Sequence, residues 1–188
     1  MADSYNGYIL LKRGAPRAPL ASGFYSFASG SEAAITHRLT ARFGDELEFE
    51  GFNISTTRDQ EPTLETFWRA LKDTVPDRLP NLYLLDAAGK SIAETRFPQP
   101  GLVWYPTSHW RAGQLVRLVF NTLTWSTDDL DSYTLALSVL DQPDPRTAKR
   151  ALIVQTPDNE NSDRLLHNAS MFRLGDFHRQ FGYTWLER

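Results

Sequence analysis

Hydrophobic and polar residues alternate with a period of two along much of this chain, which is typical of strands that bury one face. In residues 35–43, for example, Leu39, Ala41 and Phe43 share one face, and Arg38 and Arg42 share the other. Similar alternation is found in residues 46–52, 81–94, 114–123 and 132–141, with a shorter candidate at 151–155. Proline and glycine separate these segments at intervals of about ten to twenty residues. The pattern predicts an all-β fold, an antiparallel β-sandwich of jelly-roll, galactose-binding-like or immunoglobulin-like type with few short helices.

The first two alternating segments predict a hairpin. An odd-numbered loop such as residues 43–45 would bring Arg42 opposite Glu46 and Arg38 opposite Glu50. The hydrophobic residues of both strands would then lie together on the other face. We therefore expect the alternating glutamates of the second strand to form a solvated face.

Residues 62–76 fit two patterns. Behind Pro62 and Thr63, which resemble a helix start, one set of hydrophobic residues has helical spacing. The same residues also alternate as in a strand, and a short apolar run does not decide between these structures. The helical set is Leu64, Phe67, Trp68, Leu71 and Val75. The strand set is Leu64, Thr66, Trp68 and Ala70.

The length of 188 residues suits one domain that buries a sizeable core. We predict a single β-sandwich domain over 1–188, with 1–30 as an N-terminal arm and first strand. Residues 156–188 are predicted to be a C-terminal extension that packs on the sandwich. Turn-forming residues at 13–23 and 142–150 mark the breaks between these parts.

Composition excludes several kinds of chemistry. The chain has no cysteine, which removes thiolate nucleophiles, disulfides and cysteine-ligated zinc. Its formal net charge is −3, without a run of basic residues, so nucleic acid is not an expected partner. No apolar stretch approaches the roughly 18 residues that span a bilayer. No targeting segment is visible, because acidic Asp3 precedes the first apolar patch and the basic residues follow it.

Motifs for catalysis and for cofactors are equally sparse. The Gly89-Lys90-Ser91 triplet ends like a phosphate-binding loop, but the position that requires the first glycine is Leu84. The four histidines lack the spacings that present two imidazoles to one metal. We therefore predict no cofactor, no metal and no assigned catalytic residue. Asp and Glu are plentiful, so a catalytic pair of the glycosidase kind stays open as an alternative.

Residues 100–114, PGLVWYPTSHWRAGQ, combine aromatic side chains with polar ones. Aromatic rings beside hydrogen-bonding groups suit sugars, because the C–H face of a pyranose packs on a ring. The same aromatic residues can instead close the end of a sandwich as a buried plug. The weak ligand-binding candidates are Trp104, Tyr105, His109 and Arg111. The structural anchors are predicted to be Tyr105, Trp110 and Gly113.

Four stretches follow one another in a distinctive order: FGDELEFEGFNIS, NLYLLDAAGKSIAETRF, PQPGLVWYPTSHWRAGQLVR and YTLALSVLD. The most telling part is Tyr105-Pro106-Thr107 followed by Trp110 and Gly113. Over roughly 43–141 the chain resembles the soluble β-sandwich domain appended to bacterial membrane glycosyltransferases of the mannosyltransferase-like class. It departs from that pattern at Gln114 and Arg117, where acidic residues are expected.

The resemblance implies an extracytoplasmic domain, in the periplasm or at the cell surface, that is tethered to the membrane portion of a parent protein. The catalytic acids of such transferases lie in the membrane portion, so no catalytic residue is implied here. The resemblance also favours a strand over residues 64–71. We therefore expect a non-catalytic accessory domain that binds glycan or positions a partner. The alternatives are a stand-alone carbohydrate-active hydrolase with an Asp/Glu pair and a structural spacer without a ligand.

Overall fold

The computed structural model describes residues 4–5, 8–9, 23–55, 63–95, 99–120, 132–157, 161–180 and 183–187. Its β-strands, in chain order, are β1 (Ser4–Tyr5), β2 (Tyr8–Ile9), β3 (His37–Phe43), β4 (Leu47–Ser55), β5 (Thr63–Ala70), β6 (Leu79–Leu85), β7 (Ser91–Glu94), β8 (Leu115–Phe120), β9 (Ser132–Leu140), β10 (Val154–Gln155), β11 (Leu165–Leu166), β12 (Met171–Gln180) and β13 (Tyr183–Glu187). The α-helix α1 is Pro100–Trp104, and short 3-10 helices cover Gly23–Ala28, Glu32–Ala34, Thr107–His109 and Ser162–Arg164.

The described strands form two main antiparallel sheets beside the small β1–β2 pair. The first sheet has five strands in the order β10-β3-β4-β5-β8. The second sheet has six strands, with β11-β12-β9-β6-β7 in order and β13 paired to β12. Every pairing within these sheets is antiparallel.

The core lies between the two sheets. Phe49 of β4 and Phe172 of β12 contribute to it from opposite sheets, with ring centroids 6.2 Å apart. Leu135, Leu137 and Val139 of β9 face it with no exposed surface. Sheets that pack through their hydrophobic faces define a sandwich, so the predicted all-β antiparallel sandwich is confirmed.

The β3–β4 hairpin forms as predicted, but its register is different. Its turn is residues 44–46, and Arg42 lies opposite Glu48 rather than Glu46. The Arg42 Nε donates to Glu48 Oε2 at 2.6 Å. Gly44 has a φ of 60°, a conformation that suits glycine and places the turn one residue later than expected.

The predicted solvated glutamate face is wrong, because these side chains are paired and mostly covered. Glu46 lies in the turn rather than in β4, and its carboxylate accepts two hydrogen bonds from Arg78, at 2.6 and 2.9 Å. Glu50 pairs with Arg69, and the side chains of Glu46 and Glu50 are 11% and 16% exposed. Arg78 also donates to the Asp141 carbonyl oxygen at 2.6 Å, so this ion pair joins the hairpin turn to the end of β9.

Residues 63–70 form a strand, which decides between the two patterns found in this segment. Its alternating face includes Thr66 and Trp68, and neither has exposed surface. The Trp68 indole N–H donates to the Thr66 hydroxyl at 2.8 Å, which satisfies two polar groups inside the sandwich. The two-residue spacing of a strand allows this contact on one face of the sheet.

Gly51 lies where β4 changes register against both of its neighbours. The pairing shifts between Arg38 and Ala41 on one side and between Phe49 and Gly51 on the other. Its φ is +142°, and a Cβ there would lie 2.3 Å from the His37 carbonyl oxygen. Glycine is therefore required here both by the backbone conformation and by the space available.

Residues 171–180 contribute a strand to the second sheet. The sequence predicted that 156–188 would pack on the sandwich as an extension, whereas β12 is hydrogen-bonded within the sheet, between β9 and β11. In the predicted N-terminal arm, Gly23–Ala28 is a 3-10 helix and Ser29 forms an isolated bridge with Val116. Within this predicted arm, residues 1–3, 6–7 and 10–22 lie outside the described part of the chain.

Among the residues that the structure describes, no helix is long and apolar enough to cross a membrane.

Candidate functional site: an aromatic connection and a polar cleft

Residues 100–114 connect β7 to β8 and contain both short helices of this region. Pro100 opens α1, where its fixed φ suits the first helical turn and its missing N–H costs nothing. Leu102 is buried, whereas the next residue, Val103, is 60% exposed. The 3-10 helix Thr107–His109 follows and leads into Trp110. The connection thus alternates between side chains that enter the core and side chains that leave it.

Tyr105 and Trp110 are the buried aromatic residues of this connection. Trp110 is 1% exposed, and its indole N–H donates to the Tyr105 carbonyl oxygen at 3.0 Å. The Tyr105 hydroxyl lies 3.0 Å from both the His109 carbonyl oxygen and Gln114 Oε1. A hydroxyl has one proton, so it donates to one of these acceptors at a time. Burial raises the pKa of Tyr105, which further disfavours loss of this proton.

Hydrogen bonds also fasten the connection to residues 70–78. The Thr107 hydroxyl donates to the Pro76 carbonyl oxygen at 2.7 Å and accepts from the Arg78 N–H at 2.8 Å. Further along, the Gly113 N–H donates to the Ala70 carbonyl oxygen at 3.0 Å. Gly113 has a φ of +75°, which glycine adopts without strain. The connection is therefore held in its middle and at its C-terminal end.

The remaining ligand-binding candidates lie at the surface of the same connection. Trp104 and His109 are half-buried, and Arg111 is exposed. The Tyr105 and His109 rings meet edge to face with centroids 6.1 Å apart. Among the described residues, no hydrogen bond is made by the Trp104 indole. The structure thus brings Tyr105, His109 and Trp110 together, and the Arg111 charge acts on the Tyr105 hydroxyl. Among the described residues, no ring contact links Trp104 to this cluster.

A second candidate site is a cleft on the outer face of the six-stranded sheet. Its volume is about 310 Å³. One wall is the β6–β7 turn, and the other is the segment before and within the β11–β12 hairpin. The lining residues are Leu85, Asp86, Ala87, Gly89, Thr134, Asp163, Leu166, His167 and Arg173.

Arg173, which lines this cleft, forms an ion pair with Asp176. The Arg173 Nε donates to Asp176 Oδ1 at 3.3 Å, and its Nη2 donates to Oδ2. The Thr134 hydroxyl donates to the same Oδ1 at 2.8 Å. Burial by itself would raise the pKa of Asp176, but the hydrogen bonds from Arg173 and Thr134 outweigh it and hold the pKa below its usual value. Asp176 is therefore ionised at neutral pH.

His167 links the two walls of the cleft. Its Nε2 lies 2.9 Å from the Gly89 carbonyl oxygen, which can only accept, so Nε2 carries a proton. His167, Asn168 and Ala169 have φ values of 50°, 57° and 58°. Such a run of left-handed residues without glycine is strained, and strain of this kind clusters at functional sites. This turn holds the imidazole against Gly89.

Relieving this strain at Ala169 should stabilise the fold. Ala169→Gly removes a left-handed penalty of about 1–2 kcal/mol, and the greater freedom of glycine in the unfolded chain offsets about 0.5–1 kcal/mol of that gain. We expect urea melts to show a free energy of unfolding higher by about 0.5–1 kcal/mol. A lower free energy of unfolding would show that the turn is not strained at this residue.

Sequence reasoning identified the aromatic connection but missed the cleft. Residues 100–114 are contiguous, so their composition signals a site directly. The cleft draws its residues from 85–89, Thr134, 163–167 and Arg173, and no short motif unites them. Only the pairing of β6, β9 and β12 brings them together.

In the part of the chain that the structure describes, no group of three or more His, Asp or Glu side chains is placed to hold a metal ion.

The fold and the two surfaces define a class, an all-β sandwich with an aromatic connection at one end and a polar cleft on one sheet. Comparison with known proteins found no matching family model, no matching curated protein and no matching solved structure.

Proposed function

We propose that this domain is a non-catalytic glycan-binding module and that Trp104 is its platform. The observation that carries this proposal is the division of one short connection into buried and outward-facing hydrophobic residues. Tyr105 and Trp110 are 5% and 1% exposed, whereas Val103 is 60% exposed and Trp104 is half-buried. A large ring at the surface, supported by buried neighbours, has the form that stacking on a pyranose requires.

The polar groups of the connection supply the second part of sugar recognition. The Trp104 indole N–H and the exposed Arg111 guanidinium are donors that can reach hydroxyl groups. Rigidity supports the same conclusion, because the hydrogen bonds from Thr107 and Gly113 hold the connection before any ligand arrives. A preorganised surface loses less conformational entropy on binding.

The setting of this module rests on its resemblance to the domain appended to bacterial membrane glycosyltransferases. We place it outside the cytoplasm, where it would bind glycan or position a partner beside the membrane portion of a parent protein. The Tyr105-Pro106-Thr107 and Trp110-x-x-Gly113 pattern supports this setting. A catalytic role would belong to that membrane portion.

A glycan array tests the proposal directly. The wild-type domain should bind a subset of glycans, and Trp104→Ala should abolish that binding, because stacking and the indole N–H are lost together. Trp104→Phe keeps a ring and should retain part of the affinity. The control is Ile153→Ala, which removes a hydrophobic side chain, 56% exposed, from a different part of the surface.

Two results would count against this function. An array without any bound glycan would favour a structural spacer. Equal binding by the wild type and by Trp104→Ala, with both folded by circular dichroism, would move the glycan site away from residues 100–114.

A further inference from the structure

The cleft on the six-stranded sheet has the size and the polar groups of a binding site that is separate from Trp104. Its volume of about 310 Å³ is near the lower end of the range for small-molecule sites, about 300–1,000 Å³. It can therefore enclose one small unit but not an extended chain. Trp104 belongs to α1, which packs against β8 of the other sheet. A ligand in the cleft would not touch the aromatic connection.

Several polar atoms that line the cleft have no protein partner among the described residues. Asp163 is exposed, and no hydrogen bond to its carboxylate occurs in that part of the chain. Asp86 accepts the Ala88 and Lys90 N–H groups through Oδ1 alone, both at 2.9 Å, which leaves Oδ2 as an acceptor. Arg173 uses Nε and Nη2 for Asp176, which leaves the Nη1 donors. The cleft thus presents acceptors and a donor to a ligand.

Hydrophobic surface accompanies these polar groups. Leu85, Ala87 and Leu166 line the same cleft, and Leu166 packs with Met171 beside Leu85 and Tyr83. A ligand with hydroxyl groups at its edge and C–H groups on its face would satisfy both kinds of surface. Sugars and similar ring polyols have this form.

The charges in the cleft disfavour other small ligands. Two carboxylates, those of Asp86 and Asp163, line the cleft, and the charge of its Arg173 guanidinium is already paired with Asp176, so an anion would be repelled. A cation would leave the Arg173 Nη1 donors without an acceptor and next to a like charge. An uncharged polyol uses acceptors and donors together.

We infer that this cleft binds one uncharged, hexopyranose-sized polyol unit through Asp86, Asp163 and Arg173. This site is independent of the proposed Trp104 platform, and either can fail without the other. With few hydrogen bonds and a small enclosed volume, the dissociation constant is expected to be about millimolar.

Nuclear magnetic resonance on the ¹⁵N-labelled domain tests this inference. The probes are methyl α-glucopyranoside, methyl β-galactopyranoside and methyl α-mannopyranoside, each titrated into the millimolar range. At least one should shift the backbone amide signals of Gly89, Thr134 and Arg173. Asp163→Ala should weaken that binding about tenfold, the effect of losing a hydrogen bond to a charged group. Asp163 is exposed, so the fold should be unaffected.

Two control variants make the result specific. Asp45→Ala removes another exposed carboxylate, whose side chain is 86% exposed, from the β3–β4 turn and should bind like the wild type. Trp104→Ala should also leave cleft binding unchanged, which separates this site from the proposed platform. The inference is overturned if no glycoside shifts the cleft amides, or if Asp163→Ala binds as well as Asp45→Ala. It is also overturned if ethylammonium chloride or sodium phosphate shifts these amides and the glycosides do not.

Discussion

Replacing Gly51 with alanine should lower the free energy of unfolding by about 4 kcal/mol, because a strained φ costs about 1–3 kcal/mol and steric overlap costs about as much again. The new Cβ would lie 2.3 Å from the His37 carbonyl oxygen and 2.6 Å from Ile35 Cγ2. The first of these atoms is backbone in the adjoining strand, so it can move only if the β3–β4 pairing moves with it. A loss of this size is a large share of the 5–15 kcal/mol that stabilises a typical domain.

Urea melts followed by far-UV circular dichroism measure this effect, with two other glycines as graded controls. Gly113→Ala meets no atom within 4 Å but has a φ of +75°, so it should cost only about 1–2 kcal/mol. Gly101→Ala lies in α1 with its nearest neighbour at 3.5 Å and should be neutral or slightly stabilising. If Gly51→Ala is as stable as Gly101→Ala, then β3 and β4 do not approach each other closely at this bulge.

Bulges of this kind explain why the sequence predicted some strands and not others. The alternation of 132–140 is unbroken, and β9 has those bounds in the structure. In β12 the register shifts between Arg173 and Gly175, so its core residues fall at Phe172, Leu174 and Phe177 instead of at every second position. A period of two cannot identify a strand whose periodicity is interrupted.

Register was harder to predict than the existence of strands. The expected Arg42–Glu46 pair assumed that every charged residue of the hairpin points to solvent. Glu46 instead forms an ion pair with Arg78, which is distant in sequence and lies outside the hairpin. Long-range ion pairs of this kind depend on the packing of several loops at one end of the sandwich, and local periodicity carries no information about that packing.

The two candidate sites also differ in how far the sequence could predict them. The aromatic connection is contiguous, so its composition alone drew attention to Trp104, Tyr105 and Trp110. Which ring faces outward could be guessed only from neighbouring turns, whereas the structure shows Tyr105 and Trp110 buried and Trp104 half-buried. The cleft depends on which strands are neighbours, and the sequence did not predict that β12 lies beside β9. A site assembled from distant segments therefore requires the sheet order.

The opposite placements of Trp110 and Trp104 lead to opposite stability predictions. Trp110→Ala should lose about 3–5 kcal/mol, the cost of emptying a large aromatic site in a core, because Trp110 is 1% exposed and belongs to the main hydrophobic cluster. Trp110→Phe keeps most of the ring but leaves the Tyr105 carbonyl oxygen without its indole donor. That variant should lose about 1–3 kcal/mol, as for a buried polar group without a partner.

Trp104→Ala should cost less than about 1 kcal/mol, since surface substitutions rarely cost more. The half-buried Trp104 side chain makes no hydrogen bond with the described residues that its removal would break. Urea melts of the three variants should rank Trp110→Ala below Trp110→Phe and both below Trp104→Ala, with unchanged m-values. Far-UV circular dichroism is the appropriate signal, because each variant removes a fluorophore. Equal losses for Trp110→Ala and Trp104→Ala would mean that both rings support the core, and Trp104 would then be unsuitable as an independent binding platform.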